Sequence, residues 1–414
     1  MNFIFDDTDT GVTELDQHLQ HVRNVDWAST SLGPLDLWPH DLLLLAHIMM
    51  LDPQPRLLLL GSLNWMLYNV AYAKSVAGDK HPEALGMTQV DAWSADVESS
   101  VIDEPNKLRK VGYLPKTIEN YRVPLMRNGH LEECILSWTL IPLAGSLTGV
   151  YVSLTDVTQA HIAERRKGTV LQLEKAFGAV QDLKSLWEVM PKILTSNSYD
   201  FPFTLLFRPL VDVGPTCQGE SIGCQKRPDY HLEASAGQFD VTGSRTRLFE
   251  SSPVLKRAME TKEWAFVGSD DPDFRDCWSE AFTTPDSRNA IVVCPLGPSN
   301  SDKIMKVLTI GLNARNPFNS AYQNWVSQLM QMIRDKITSL LLAEEENMKR
   351  LRVRMEALER ARLSAKEASH VTEKWLRMQY IVDQVNVGIF ELLPDGSLVH
   401  SNVSRGQTGT HRLR

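Results

Sequence analysis

One long segment contains neither glycine nor proline, and it constrains the fold of this chain more than any other feature. It runs from 337 to 378. Apolar residues recur there every seven positions in two series, Leu341, Met348 and Met355, and Leu351, Leu358 and Ala365. Heptad spacing is typical of a parallel coiled coil, so residues 341–378 are predicted to join two copies of the chain as a homodimer. A single long surface helix would give the same pattern, and Arg362 and Ser369 interrupt the apolar seam toward its end.

Length and composition indicate a globular chain of two to three domains. It has 414 residues, of which 43% are hydrophobic and 23% charged. The formal charge of −8 argues against a nucleic-acid binder and gives no reason to expect binding to anionic lipid. The most apolar run, LLLLAHIMML at 42–51, is half the length of about 20 residues that a membrane span needs, so it predicts a buried helix. The acidic start MNFIFDDTDT differs from a secretory signal. We expect a soluble, cytoplasmic protein.

The cysteines support the same compartment. There are five of them, an odd and scattered set, as in proteins with free thiols: Cys134, Cys217, Cys224, Cys277 and Cys294. Cys217, Cys224 and His231 fall in one stretch, but no CxxC or HxxxH spacing supports a metal site. No metal is predicted.

Residues 20–165 are predicted to form a small antiparallel α+β domain. RLLLL at 56–60, WMLYN at 65–69, LEECILSWTLIPL at 131–143 and LTGVYVSLTDV at 147–157 are predicted strands, with short helices between them.

This region resembles the PAS domain at the amino end of many bacterial and fungal hybrid sensor histidine kinases. The resemblance lies in SLGPLDLWPHDL (31–42), LYNVAYAKSVAGDKHPEALG (67–86), RNGHLEECILSWTLIPL (127–143) and GVYVSLTDVTQAHIAERR (149–166). It implies that Asp156 and Thr158, at the exit from the last strand, transmit strain from the sheet to a following helix. A simple helix N-cap explains the same two residues equally well.

Five aromatic residues of this domain are candidates for a ligand pocket: Trp65, Tyr68, Tyr72, Trp93 and Trp138. The alternative is that they fill the core. The reactive cysteine segment of flavin-binding PAS domains is absent from the sequence. A PAS haem would need a well-placed histidine. The candidate, His81, is predicted to lie in a turn beside Lys80 and Pro82. The cofactor is therefore unknown.

Residues 168–340 are predicted to form a second domain. An amphipathic helix is expected over 171–194, and strands are expected in FPFTLLFRPL, YHLEASAG, RNAIVVCPLG and KIMKVLTIGLNA. The segment SSPVLKRAMETKEWAFVG is predicted as helix then strand. This element order and VLTIGLNARNPFNSAYQNWVSQLMQMIRDKI (307–337) resemble a GAF domain, a family that binds cyclic nucleotides, bilins or haem, or serves for dimerisation. The bilin-binding branch would need an Asp-Ile-Pro triplet, which is absent, and Cys294 lies in a strand.

Two features near the end of the chain resemble parts of histidine kinases. Ser369-His370 resembles the phospho-acceptor pair, but the continuation VTEKW lacks the rest of that motif and predicts a solvated helix histidine. Residues 379–402, with Pro394-Asp395-Gly396 between two β runs, resemble the first hairpin of a truncated second PAS domain. Residues 403–414 are predicted to be a disordered tail.

Together these patterns predict an α+β chain without a complete catalytic centre, since phosphate loops, HExxH, GxSxG and the kinase ATP boxes are missing from the sequence. We expect the sensory input and dimerisation segment of a two-component histidine kinase, whose downstream kinase or response regulator belongs to the parent protein. The alternative is a separate regulatory or decoy protein that binds a small molecule, such as a cyclic nucleotide, or a full-length kinase.

Overall fold

The computed structural model describes residues 10–111, 114–144, 148–210, 230–238, 249–282, 289–384, 390–392, 394 and 398–401. The chain divides into two compact units, Met1–Leu340 and Leu341–Arg414. The first unit contains two five-stranded antiparallel sheets with helices around them. The second contains most of a long helix and a two-stranded sheet. The fold is therefore a mixed α/β one with a long C-terminal helix.

The first sheet has the order β2-β1-β5-β4-β3. Its strands are β1 Arg56–Leu60, β2 Trp65–Tyr68, β3 Lys116–Arg127, β4 His130–Pro142 and β5 Gly149–Asp156. The edge strand β3 escaped prediction because it is mostly polar and contains Pro124. Asn128 and Gly129 join it to β4 with φ angles of 53° and 72°, as a type I′ hairpin requires.

Among the described residues, six α-helices precede or flank this sheet: α1 Thr13–Asn24, α2 His40–Leu51, α3 Val70–Tyr72, α4 Gln89–Trp93, α5 Ser99–Ile102 and α6 Glu104–Val111. The helix predicted in the apolar run 42–51 is α2, but it is buried on one face only. Met49 is fully buried, whereas Ile48 is 58% exposed. Helix α1 contributes Leu19 and Val22, both fully buried, to the core of the first sheet.

Two helices connect the sheets, α7 Thr158–Ala179 and α8 Leu183–Ser196. The prediction of one helix across 171–194 was wrong because the chain turns between 180 and 182. Asp182 is the N-cap of α8, and its carboxylate accepts a hydrogen bond from the main-chain N–H of Ser185 at 2.7 Å. An N-cap of this kind starts a new helix even where apolar residues continue at helical spacing.

The second sheet has the order β7-β6-β10-β9-β8. Its strands are β6 Phe203–Pro209, β7 Tyr230–Gly237, β8 Ala265–Gly268, β9 Ala290–Leu296 and β10 Lys306–Leu312. Helices α9 Pro253–Thr261 and α10 Pro272–Cys277 lie between these strands in the chain. Strands β9 and β10 are buried along their whole length, in keeping with their Val- and Ile-rich sequences.

Helix α11 runs without interruption from Ser320 to Gln384. Strands β11 Phe390–Leu392 and β12 Leu398–Ser401 follow it and pair antiparallel. This pair flanks the predicted turn, of which Asp395 and Gly396 lie outside the described residues, as does the tail 403–414. No helix in the described part of the chain combines the length and apolar character needed to cross a bilayer.

Candidate functional site

The first domain contains a small apolar cavity, partly open to solvent, between the inner face of its sheet and helices α4 to α6. Its volume is about 70 Å³. Three of the five predicted aromatic residues line it, namely Tyr72, Trp93 and Trp138. Aliphatic side chains of β1, β3, β4 and β5 complete the wall, and Gln89 is a polar group in the lining. The structure thus brings these three aromatic residues together around one space.

The other two predicted aromatic residues lie elsewhere. Tyr68 is fully buried, its ring packs 4.9 Å from that of Tyr72, and its hydroxyl lies 3.2 Å from Nδ1 of His81. Trp65 is only partly buried, and its indole N–H donates to the hydroxyl of Ser31 at 2.9 Å. Burial raises the pKa of both Tyr68 and Tyr72, so both phenols are neutral.

The size and lining of the cavity restrict what it can hold. Ligand pockets for cofactors typically measure about 300–1,000 Å³. An apolar cavity of about 150 Å³ is enough for benzene. A space of about 70 Å³ without a charged wall therefore suits a small uncharged molecule of a few heavy atoms. A space of this volume is too small for a haem or a flavin.

The exit from the first sheet is held by a direct bond between strand and helix. Thr158, only 5% exposed, accepts a hydrogen bond through Oγ1 from the main-chain N–H of Ile135 in β4 at 2.8 Å. The carboxylate of Asp156 accepts from the N–H of Thr158 at 2.9 Å and pairs with Arg127 at 3.3 Å. Thr158 thus joins the start of α7 to the neighbouring strand, and Asp156 shapes the turn between β5 and α7.

A network of buried charges lies about two turns further along α7. We call Glu133, Arg165, Arg166 and Asp200 the junction. Arg165 donates to both carboxylate oxygens of Glu133 at 2.9 and 3.1 Å, and its Nε donates to Asp200 at 2.9 Å. Arg166 donates to the other oxygen of Asp200 at 3.0 Å. Glu133 belongs to β4, the arginines to α7, and Asp200 precedes β6, so the junction connects the two sheets.

The junction is shielded from solvent. The side chain of Asp200 is fully buried, that of Glu133 is 7% exposed, and that of Arg165 is 14% exposed. Burial alone would lower the pKa of the Arg165 guanidinium, but the hydrogen bonds and charges of Glu133 and Asp200 outweigh it and raise that pKa. Arg165 is therefore held in its charged form.

The segment before α11 contacts the same network. The side-chain amide of Asn316 donates to Glu133 at 3.0 Å, and the main-chain N–H of Glu133 donates to the carbonyl of Arg315 at 3.0 Å. In α11 itself, the hydroxyl of Tyr322 donates to the carbonyl of Asp200 at 2.6 Å. The guanidinium of Arg166 lies 4.0 Å from the centre of the Tyr322 ring. Strand β4, helix α7 and the start of α11 therefore meet at one place.

Sequence reasoning did not select the junction as a site. The two arginines were noted only as the end of the segment GVYVSLTDVTQAHIAERR (149–166), and the two acids were not singled out. The available signal was that pair of arginines at the strand exit, because two adjacent cations facing a packed domain require buried acidic partners.

The interior of the second domain is filled by side chains. Its described core contains buried aromatic rings and aliphatic residues that contact one another: Phe203, Phe207, Phe249, Phe274 and Trp278 are among them. These side chains fill the described core, and a recess of about 530 Å³ lies beside it, with Phe203, Asn313 and Arg315 among its lining residues.

The cysteines of the described residues are buried or half-buried thiols. Burial raises the pKa of Cys134 to about 11 and that of Cys294 to about 12, so neither is a ready thiolate. Cys217 and Cys224 lie outside the described residues. Among the residues that the structure does describe, no three His, Cys, Asp or Glu side chains form a group that could hold a metal ion.

The long helix leaves its heptad residues open to solvent. Met348, Leu351, Met355 and Leu358 are 50–66% exposed. Ion pairs at i, i+4 spacing follow other faces of the helix, for example Glu345–Lys349 and Glu346–Arg350. His370 is exposed on this helix. An apolar seam beside charged faces is the pattern that a helix presents to a partner helix.

Comparison with known proteins adds structural neighbours only, since no protein-family model and no curated protein matches the chain. The GAF domain from an Acinetobacter phosphoenolpyruvate-protein phosphotransferase is similar to 44% of this chain and 97% of its own, at 12% identity and a TM-score of 0.28. The GAF domain of a two-component sensor histidine kinase from Bacillus halodurans is similar to 40% of this chain and 99% of its own, at 13% identity and a TM-score of 0.25. The PAS domain from Bordetella pertussis BvgS is similar to 32% of this chain and 98% of its own, at 18% identity and a TM-score of 0.22.

Proposed function

We propose that this chain is the sensory input and dimerisation segment of a two-component sensor histidine kinase. In this proposal residues 20–165 are a PAS-like sensor, residues 168–340 a GAF-like domain and residues 341–378 the dimerising helix. The catalytic core and the response regulator belong to the parent protein. Residues 379–402 are the start of a second PAS domain.

The observation that carries the proposal is the junction. A strand that lines the cavity, the helix that leaves its sheet and the segment that opens α11 share buried charged and polar groups. Buried ion pairs tolerate little displacement, because separating one pair leaves an unpaired charge in a low dielectric. A change in the first sheet is therefore expected to alter the second domain rather than to be absorbed between them.

The cavity supports a sensor of small molecules. In this proposal an uncharged apolar compound fills the space beside Tyr72, Trp93 and Trp138. Filling an apolar void adds contacts to every wall that lines it. Because β4 contributes to that wall, its position depends on whether the cavity is occupied. Ligand binding would then shift the population of a two-state element downstream.

The dimer is tested by native mass spectrometry of the full chain, followed by release of retained compounds in denaturing solvent. The wild-type chain is expected to be a dimer. The double variant Leu351→Glu/Leu358→Glu places charges on the seam and is expected to be a monomer. The matched control Val353→Glu/Ala357→Glu places the same charges on other faces and is expected to remain a dimer.

The direction of the helices is tested separately. Leu351→Cys is expected to form a disulfide between two protomers under mild oxidation, because a parallel, in-register pair places identical positions opposite each other. The wild-type chain under the same oxidation gives the background from its own cysteines. A monomeric wild-type chain, or a dimer that survives both seam charges, would overturn the dimerisation part of the proposal.

A further inference from the structure

Three histidines gather where the first helix packs on the first domain. We call His18, His21 and His81 the imidazole cluster. His18 and His21 lie on α1, and His81 lies in the turn before Pro82. The ring of His81 lies 5.2 Å from that of His18 and 5.3 Å from that of His21, measured between centroids. The cluster borders an open recess of about 520 Å³.

The surroundings of His18 favour a neutral ring. Its side chain is almost fully buried, with 2% exposed. Nε2 lies 2.7 Å from the carbonyl oxygen of Tyr68, and a carbonyl only accepts, so Nε2 carries the proton. Nδ1 is then a lone-pair acceptor, and it is buried without a hydrogen-bond partner among the described residues. A second proton on Nδ1 would therefore be a buried N–H with nothing to accept it.

The charged groups around the cluster offer little compensation for a positive His18. On the rim, Glu14 of α1 already pairs with Lys74. The carboxylate of Asp79 accepts from the main-chain N–H groups of Asn128 and Gly129. Arg127, a further cation lining the recess, pairs with Asp156.

On the side of the domain, the ring of Tyr68 faces both His18 and His81. Tyr72 packs on Tyr68, and the negative charge of Glu83 partly opposes the lowering of the His81 pKa by burial. The nearest ionisable neighbours of His18 are thus other imidazoles and a neutral phenol.

We infer that the imidazole cluster makes the packing of α1 on the first domain dependent on pH, so that protonation releases this helix. Release frees Nδ1 of His18 to bind water and separates three imidazoles that repel one another when charged. The same event uncovers Leu19 and Val22, which α1 buries in the core. Acidification would thereby act on the first domain without any ligand in its cavity, and this inference does not depend on the proposed function.

The direction of the effect follows from the pKa of His18. Burial, opposed by the Tyr68 carbonyl and assisted by His81 and His21, lowers that pKa from 6.5 to about 4. Burial also lowers the pKa of His81. A histidine with a lowered pKa in the packed state stabilises packing above pH 6.5, and the stabilisation is lost as the pH falls toward 4. For His18 alone, the packed state is expected to be about tenfold less favoured at pH 5.5 than at pH 7.5.

The test is amide hydrogen exchange of the full chain at pH 7.5 and 5.5, with each rate divided by the intrinsic rate at that pH. Protection of the α1 amides in the wild-type chain is expected to fall about tenfold or more at pH 5.5. His18→Gln keeps a donor for the Tyr68 carbonyl and cannot be protonated, so its α1 protection is expected to depend much less on pH. His370→Gln, on an exposed helix, is the matched control and is expected to behave as the wild-type chain does.

Two results would overturn the inference. One is α1 protection in the wild-type chain that is unchanged between the two pH values. The other is a pH dependence in His18→Gln equal to that of the wild-type chain. If His18→Gln does not fold, NMR titration of the imidazole protons of the wild-type chain decides: a His18 that titrates at or above pH 6.5 in the folded chain contradicts the inference, and one that stays neutral below pH 5 supports it.

Discussion

Replacing Arg165 by methionine tests whether the junction holds the two domains together. The substitution removes the guanidinium but keeps most of the aliphatic side chain. It eliminates three hydrogen bonds, two to Glu133 and one to Asp200, and leaves both carboxylates buried. Breaking a buried ion pair by removing one partner costs about 3–5 kcal/mol.

The remaining partners place the expected cost at the lower end of that range. Glu133 keeps Arg122 at 3.2 Å and Asn316 at 3.0 Å, and Asp200 keeps Arg166 and Asn197. We therefore expect the free energy of unfolding to fall by about 3 kcal/mol. For domains of this size the loss corresponds to a fall of about 6–12 °C in Tm.

The assay is urea unfolding of the full chain followed by tryptophan fluorescence, with hydrogen exchange to report each domain separately. Both domains are expected to lose protection in Arg165→Met, because Glu133 belongs to one and Asp200 to the other. The matched control is Arg350→Met, which removes an exposed pair with Glu346 and should change stability by less than about 0.5 kcal/mol.

A double-mutant cycle isolates the contribution of the ion pair itself. Glu133→Gln combined with Arg165→Met should cost less than the sum of the two single variants by at least about 1 kcal/mol, since each single change already removes the same contact. If Arg165→Met were as stable as Arg350→Met, or if the two junction variants were additive, the junction would be no more than a set of independent surface charges.

Three further substitutions test the strand and the helix next to the site, β5 and α7. Thr158→Val leaves a buried main-chain N–H of β4 unpaired and should lower the free energy of unfolding by about 1–3 kcal/mol. Thr372→Val, on the exposed helix, is the control and should be close to neutral when the two variants are compared by thermal unfolding. Gly149→Ala should destabilise the first sheet, because its Cβ would lie 2.5 Å from a carbonyl oxygen of the adjacent strand, and loss of hydrogen-exchange protection in β1 and β5 would show this. Gly168→Ala, in an open position of α7, should instead raise stability by about 0.5–1 kcal/mol in the same unfolding assay.

Predicting elements from this sequence succeeded where burial makes a strand uniformly apolar. Leu57–Leu60 and the strands β9 and β10 show this, because all of their residues are buried. It failed at β3, whose outer position allows lysine, asparagine and proline within a strand of 12 residues. It also failed at 180–182, where one capping aspartate overrides continued apolar periodicity.

The candidate site could be predicted only in part, for two physical reasons. Aromatic residues identify a place where a cavity can form, but composition does not tell which rings face it; Trp65 and Tyr68 proved to lie outside. The partners of the junction are separated along the chain by 32 residues from Arg165 to Glu133 and by 35 to Asp200. Such pairing is decided by how two sheets pack, which no local pattern in a single sequence contains.

Strand β4 contributes residues both to the cavity and to the junction. Side chains alternate between the two faces of a strand. Leu136, Trp138 and Leu140 face the cavity, whereas Glu133 lies on the alternate face together with the fully buried Ile135. The main chain of Ile135 is also the group that Thr158 binds. A displacement of β4 by a molecule in the cavity must therefore stretch the Thr158 bond, shift Glu133 against Arg165, or both. The cavity wall and the junction lie on two faces of the same strand, so the proposed displacement of that strand would act on both.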